Sequence, residues 1–155
     1  MRAPAVWGRE RVALLTAAEA SALDARAQQE AAIPGRALME SAGRAAAAVL
    51  DRLYPEGRIV AAVGAGNNGG DALVALRALA SWGRDVAWVS GSDRDPDVAL
   101  LAGTDIPRLH GEEADAAFAD AAVLVDGLLG TGARGAPRES AAALIQRMNE
   151  SDRPI

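Results

Sequence analysis

The rhythm of polar and apolar positions changes near residue 58 of this chain. Before that point apolar residues recur at helical spacing. Thr16-Ala17-Ala18-Glu19 has the form of a capping box, with a hydroxyl placed to take an orphan backbone N–H and a carboxylate three residues on that can reach back. It predicts a helix from Ala17 to about Ala31, broken by Ile33-Pro34-Gly35. A second helix is expected from about Ala37 to Leu53, with Leu38, Ala42, Ala45, Val49 and Leu53 on one face, ending before Pro55-Glu56-Gly57. Such a pair is expected to serve as a packing layer or an oligomer contact.

From Arg58 onward, short apolar runs alternate with Ala-rich amphipathic stretches, the pattern of repeated βαβ units around a parallel sheet. The runs predict strands at Ile59–Val63, Val86–Ser90, Asp105–Leu109 and Val123–Asp126. Helices are expected from Asp71 to Trp82, closed by Gly83, from about Asp97 to Ala102, and from Arg138 to Asn149. Arg153-Pro154-Ile155 reads as the approach to a fifth strand. The fold class is therefore α/β: a three-layer αβα, Rossmann-like, doubly wound parallel sheet with an N-terminal helical pair. One domain is expected over residues 1–155, incomplete at its C-terminus.

Composition narrows the function. The 155 residues are 50% apolar, enough for one sizeable core. A net charge of −5 and an aromatic content of 3% argue against nucleic acid as a partner, because neither a basic stripe nor stacking platforms are available. The chain has no cysteine, which excludes disulfides and thiolate metal sites. No uncharged apolar run approaches the ~18 residues of a membrane span, so no membrane association is expected. Met1 to Arg11 carries Arg2, Arg9, Glu10 and Arg11 with no apolar run behind them, unlike a secretory leader, and a cytoplasmic location is expected.

Two segments carry candidate chemistry. Gly64-Ala65-Gly66-Asn67-Asn68-Gly69-Gly70-Asp71 follows a strand and opens a helix, where glycines let the backbone turn tightly and helix N–H groups can receive an anion. Gly64, Gly66 and Gly69 also satisfy G-x-G-x-x-G, and Asp93 lies just past the second strand, so a dinucleotide-binding oxidoreductase is the rival reading. Against it, Asp71 at the helix mouth would compete with a pyrophosphate for the positive dipole end. No Lys-Ser or Lys-Thr follows the glycines, which excludes a P-loop.

The second segment, Val125 to Gly135, places Asp126 at a strand end, as a turn cap or as a ligand or acid/base group. Gly130, Thr131, Gly132, Ala133 and Arg134 follow it, offering hydrogen bonds and charge to a phosphate. With strands wound 3-2-1-4-5, both loops open into one crevice at the topological switch point. Asn67, Asn68, Asp71 and Asp126 would then supply hard oxygen donors for a cation beside a phosphorylated ligand. His110, beside Gly111-Glu112-Glu113, reads as a surface group. Trp7, Trp82 and Trp88 share no spacing and read as packing residues, and Ser92 to Asp97 reads as a solvated loop.

In combination, Leu15-Thr16, Leu38 to Arg44, the Asn-Asn-Gly-Gly-Asp core and Asp126-x-x-x-Gly130-Thr131-Gly132 resemble the NAD(P)H-hydrate epimerases, the YjeF N-terminal domain family. The resemblance implies an isomerase that interconverts the R and S epimers of hydrated NADH and NADPH, so that a fused or separate dehydratase can restore the cofactor. It implies nucleotide binding by Asn67, Asn68, Gly69, Gly70 and Asp71 and by Gly130 to Arg134, and a potassium ion at Asn68 and Asp126. A homodimer is expected. Ala72 stands where the family usually has glycine, a change a helix tolerates. The family's Asp-x-Pro-Ser-Gly segment, with the aspartate of the reaction centre, would lie beyond Ile155, so no catalytic residue is assigned and little activity is expected of this chain by itself. A non-catalytic nucleotide-binding module is the third reading.

Overall fold

A computed structural model describes residues 15–155; Trp7 and the charged start lie outside them. Contacts divide the chain into two units, up to Leu38 and from Met39 onward. In the first unit, α1 (Ala17–Gln29) buries none of its residues. Its start is the capping box: Thr16 Oγ1 accepts the Glu19 N–H at 3.3 Å, and Glu19 accepts the Thr16 N–H at 2.8 Å. Those hydrogen bonds hold the Glu19 carboxyl below its ordinary value near 4.5.

The second unit is built on β1 (Ile59–Val63), β2 (Val86–Ser90) and β3 (Val123–Gly127), parallel strands in the order β2-β1-β3. Ile59 pairs with Val86 on one side and Val123 on the other. All five β1 residues are buried, as expected of a central strand covered on both faces. Ile59, Ala61 and Val63 pack with α3 (Asn67–Ser81) and Ala47 of α2 (Gly35–Leu53). Val60 and Ala62 pack with α4 (Gly111–Asp120) and α5 (Glu139–Glu150). The result is the expected three-layer αβα sandwich. No described helix is long and apolar enough to cross a membrane.

α3 ends in a Schellman motif: the Arg84 N–H reaches the Leu79 carbonyl, the Gly83 N–H reaches Ala80, and Gly83 takes φ +84°. The Arg84 side chain then ties down the end of α2, donating to Asp51 and to the carbonyl of Tyr54, each at 2.6 Å. The Tyr54 carbonyl, just past the helix end, has no helical partner of its own.

Several expectations are corrected. The strand at Asp105–Leu109 is only a bridge between Arg108 and Trp88, beside β2. Pro107 has no N–H to give a ladder, although its carbonyl accepts from Trp88 at 3.1 Å. The helix near Asp97–Ala102 is a 3-10 helix at Val98–Leu101. α4 was not expected at all, because Gly111-Glu112-Glu113 looks like a loop; its buried Ala114, Ala117 and Phe118 stand at helical spacing. His110, at its N-cap, is exposed as expected.

α2 packs through Met39, Gly43, Ala47 and Leu50, one residue round from the expected stripe, and Leu53 is 57% exposed. Gly43 decides this. A Cβ there would stand 2.5 Å from Val74 Cβ, so the helices approach where side chains are smallest. Trp88 is buried, with the Arg108 guanidinium 5.0 Å from its ring centre, but Trp82 is 44% exposed and is not a packing residue. The fifth-strand approach is visible in one bond, from the Leu124 N–H to the Pro154 carbonyl at 2.8 Å.

Candidate functional site

β1 and β3 end side by side, Val63 opposite Gly127, and the Gly64 N–H continues the ladder to the Gly127 carbonyl at 3.0 Å. The segments after these strands therefore share one edge of the sheet, as the expected winding required. The first is shorter than expected. α3 begins at Asn67 with Gly66 as its N-cap, and no side chain caps it. The N–H groups of Asn67, Asn68 and Gly69 form its first turn, where helix geometry supplies no acceptor and the dipole favours an anion. Asp71 lies a full turn into the helix, not at its mouth.

The glycines divide by what surrounds them. A Cβ on Gly69 would lie 1.9 Å from the Gly64 carbonyl oxygen, and one on Gly64 would lie 2.1 Å from the Leu128 carbonyl oxygen. These two serve the chain's own close approach. Gly70 is buried beneath Met39, whose Cε and Sδ would stand 2.7 Å from a Cβ, and its N–H bonds to the Gly66 carbonyl at 3.0 Å. Gly70 thus presents neither surface nor N–H to a ligand, contrary to the sequence-based expectation. Of these four glycines only Gly66 faces open space.

Asn68 joins the two segments. Its Nδ2 donates to the Leu129 carbonyl at 3.0 Å and, more weakly, to the Asp126 carbonyl at 3.4 Å. Asp126 is exposed, and its Oδ1 accepts the Leu128 N–H at 2.9 Å. The carboxylate is thus a turn cap in this arrangement, one of its two expected roles. Two main-chain carbonyls meet the Asn68 amide, and the Asp126 carboxylate, bonded to the Leu128 N–H, lies on the same turn, so the segment offers hard-oxygen donors with one formal charge. Among the described residues no three His, Cys, Asp or Glu side chains are placed to hold a metal. A cation here would rest mainly on carbonyl and amide oxygens, a set that fits a hard ion of low charge.

Residues 129–138 form an exposed loop. Gly130 lies beside Asn68, 3.5 Å from its Cβ at the position of an added Cβ, and the Ala133 N–H turns back to the Gly130 carbonyl at 3.0 Å. Thr131 and Gly132 are exposed, and Arg134 hydrogen-bonds to the carbonyl of Ala133 on its own loop. Asn67 is exposed at the first helical position. Asn68, Asp126 and Gly130 are thus brought together, and Thr131 and Arg134 stand on the loop that leaves them. Sequence reasoning missed the Leu129 carbonyl, a main-chain group without a residue signature, and it missed Leu128, which is 6% exposed and wedged at the strand ends.

Residues 35–155 match the family described as "YjeF-related protein N-terminus". The chain is 37% identical over 139 residues to an NAD(P)H-hydrate epimerase of Rhodopirellula baltica, covering 83% of this chain and 57% of that protein. It is 38% identical over 135 residues to a bifunctional NAD(P)H-hydrate repair enzyme Nnr of Pyrobaculum aerophilum, covering 79% and 27%. The chain therefore spans just over half the length of that epimerase and about a quarter of that repair enzyme. The crystal structure of yeast ynu0 superposes with a TM-score of 0.77 at 21% identity, over 90% of this chain and 66% of that one, which shows a shared fold.

Proposed function

The chain belongs to the YjeF-related protein N-terminus family, and on that premise we propose that it acts in an NAD(P)H-hydrate epimerase, interconverting the R and S epimers of hydrated NADH and NADPH. The observation that supports this reading is the Asn68 bridge, which joins the two glycine-bearing segments in a family whose members include proteins named for this activity. The first-turn N–H groups of Asn67, Asn68 and Gly69 take a phosphate of the nucleotide, and Gly130, Thr131, Gly132, Ala133 and Arg134 supply the second wall, with the Thr131 hydroxyl and Arg134 guanidinium as donors. Asp71, a turn further in, orders the helix side of the site.

A potassium ion fits the oxygen set around Asn68 and Asp126, and when bound it supplies fixed positive charge beside the nucleotide. Asn68 and Asp126 would hold it through their side-chain oxygens. Inverting the hydrated ring carbon requires a bond there to break and re-form with proton transfer, work to which a positioned acid or base contributes roughly 10²- to 10⁴-fold. No described residue is assigned that transfer. A homodimer, a cytoplasmic setting and a fused or separate dehydratase belong to the same proposal, the last supported by the bifunctional name of a relative.

The test incubates one purified hydrate epimer with this chain, and with a form extended to the length of the epimerases it matches, and follows the second epimer by chromatography. Equilibration faster than in buffer, with no net oxidation or reduction, is expected of the extended form. An epimer that stays pure, or one that binds no better than NADH, overturns the reading.

A further inference from the structure

We propose that Gly91, just past the end of β2, is a positioning residue that holds both ends of the substrate loop formed by residues 129–138. Its own place is fixed, because its N–H donates to the Val63 carbonyl at 2.9 Å and so ties it to the central strand. Leu128, immediately before the loop, packs on its Cα: a Cβ at Gly91 would lie 2.1 Å from Leu128 Cδ2 and 3.1 Å from Leu144 Cδ1. Ser140, in the first turn of α5 that follows the loop, donates its hydroxyl to the Gly91 carbonyl at 3.3 Å. One buried residue just past the end of a neighbouring strand thus anchors the start and the finish of an exposed ten-residue segment.

The anchor is stiff at the Leu128 end. Leu128 is 6% exposed within the apolar cluster of α4 and α5, and its carbonyl oxygen is pressed against Gly64, whose missing side chain makes the room. A methyl group at Gly91 must displace the end of the Leu128 side chain within this packed cluster, and on this proposal the displacement is passed to its main chain. That main chain leads directly to Leu129, whose carbonyl receives Asn68, and to Gly130. Gly91 touches neither ion nor nucleotide. It acts on them by setting where the loop begins and ends.

The substrate named here is that of the proposed function, whereas the geometry stands without it, and the experiment separates the two. Gly91→Ala, Ser140→Ala and the double variant Gly91→Ala/Leu128→Ala are compared with wild type by backbone amide chemical shifts, melting temperature and, in the extended form, kinetics on hydrated NADH. Gly91→Ala is expected to move the amides of Gly130 to Arg134 and to raise KM about tenfold or more, as displacements near 1 Å do at binding sites, with a smaller change in kcat. The double variant, which removes the obstructing methyls, returns the amides and KM most of the way. Unmoved loop amides in a folded Gly91→Ala protein overturn the inference, as does a moved loop with unchanged KM. If Gly91→Ala does not fold, Ser140→Ala decides: it adds no atom, and the same amides must move. If wild type does not epimerise the hydrate, the functional reading fails, and the amide shifts still decide whether Gly91 positions the loop.

Discussion

Gly69→Ala offers a test in which two physical effects oppose each other in sign. Gly69 is the third residue of α3 and its φ lies outside the left-handed region, so helix propensity favours alanine by about 1 kcal/mol. The surroundings oppose it. The new Cβ would lie 1.9 Å from the Gly64 carbonyl oxygen, where real contacts do not fall below 3.0 Å, so the two must part by about 1.1 Å. Gly64 has little freedom to retreat, since its N–H is bonded to the Gly127 carbonyl and its Cα lies against Leu128. Overpacking of this kind costs ~1–3 kcal/mol, and loosening the Gly64 bond adds ~1 kcal/mol. After the propensity gain, a net loss of about 2 kcal/mol remains, or roughly 4–8 °C in Tm for a chain of this length. Urea and thermal unfolding followed by circular dichroism measure it. Gly132→Ala, with open space around it, serves as the control and should fall within about 0.5 kcal/mol of wild type. A Gly69→Ala protein as stable as wild type, or more so, refutes the close-approach account of this glycine.

Asn68→Ala removes one good hydrogen bond and one long one, and should cost about 1 kcal/mol in unfolding experiments while weakening nucleotide binding more than stability. Equal losses in both would make Asn68 a structural brace only. Asp126→Asn keeps an oxygen that can accept the Leu128 N–H, so the melting temperature should hold while potassium no longer strengthens nucleotide binding; a retained potassium response in titration calorimetry removes Asp126 from the cation site. At the start of α1 the depressed Glu19 pKa means that the capping box contributes fully above the carboxyl's ordinary value near 4.5 and is lost as pH falls through the lower folded value. Protection of the Thr16 amide, measured against its intrinsic exchange rate, should therefore fall only in acid, and a pH-independent protection factor would contradict the observed bonds.

The parts of the fold legible in the sequence were those whose signal is local. Five consecutive buried positions marked β1, and the two strands beside it were found within one residue of their bounds. The capping box and Gly83 announced their helix ends because each acts through atoms a few residues away. What failed depended on neighbours distant in the chain. The face of α2 turned by one residue because Gly43 meets Val74, and the sequence contains no local sign of that meeting. α4 was legible in principle, from Ala114, Ala117 and Phe118, but its acidic first turn resembled a loop. At the site, the segments of Asn68 and Asp126 meet as expected, whereas the glycines, expected together to allow a tight turn and a ligand's approach, serve different neighbours. Gly64 and Gly69 make room for each other and for Leu128, and Gly70 makes room for Met39.

The central place of β1 has a kinetic consequence. Its pairing with β2 spans 27 residues, Ile59 to Val86, whereas its pairing with β3 spans 64, Ile59 to Val123. Closing the longer loop costs more chain entropy, and non-local pairings form more slowly. As the chain leaves the ribosome, β1, α3 and β2 can close one layer from residues before Gly91, while Val60 and Ala62 wait with a bare apolar face for α4, β3 and α5. Asn68 acquires its acceptors only when that second half arrives. The crevice is therefore among the last features to form, and its absence during synthesis coincides with an exposed sheet face, the interval in which a nascent chain is most open to aggregation or to capture by a chaperone.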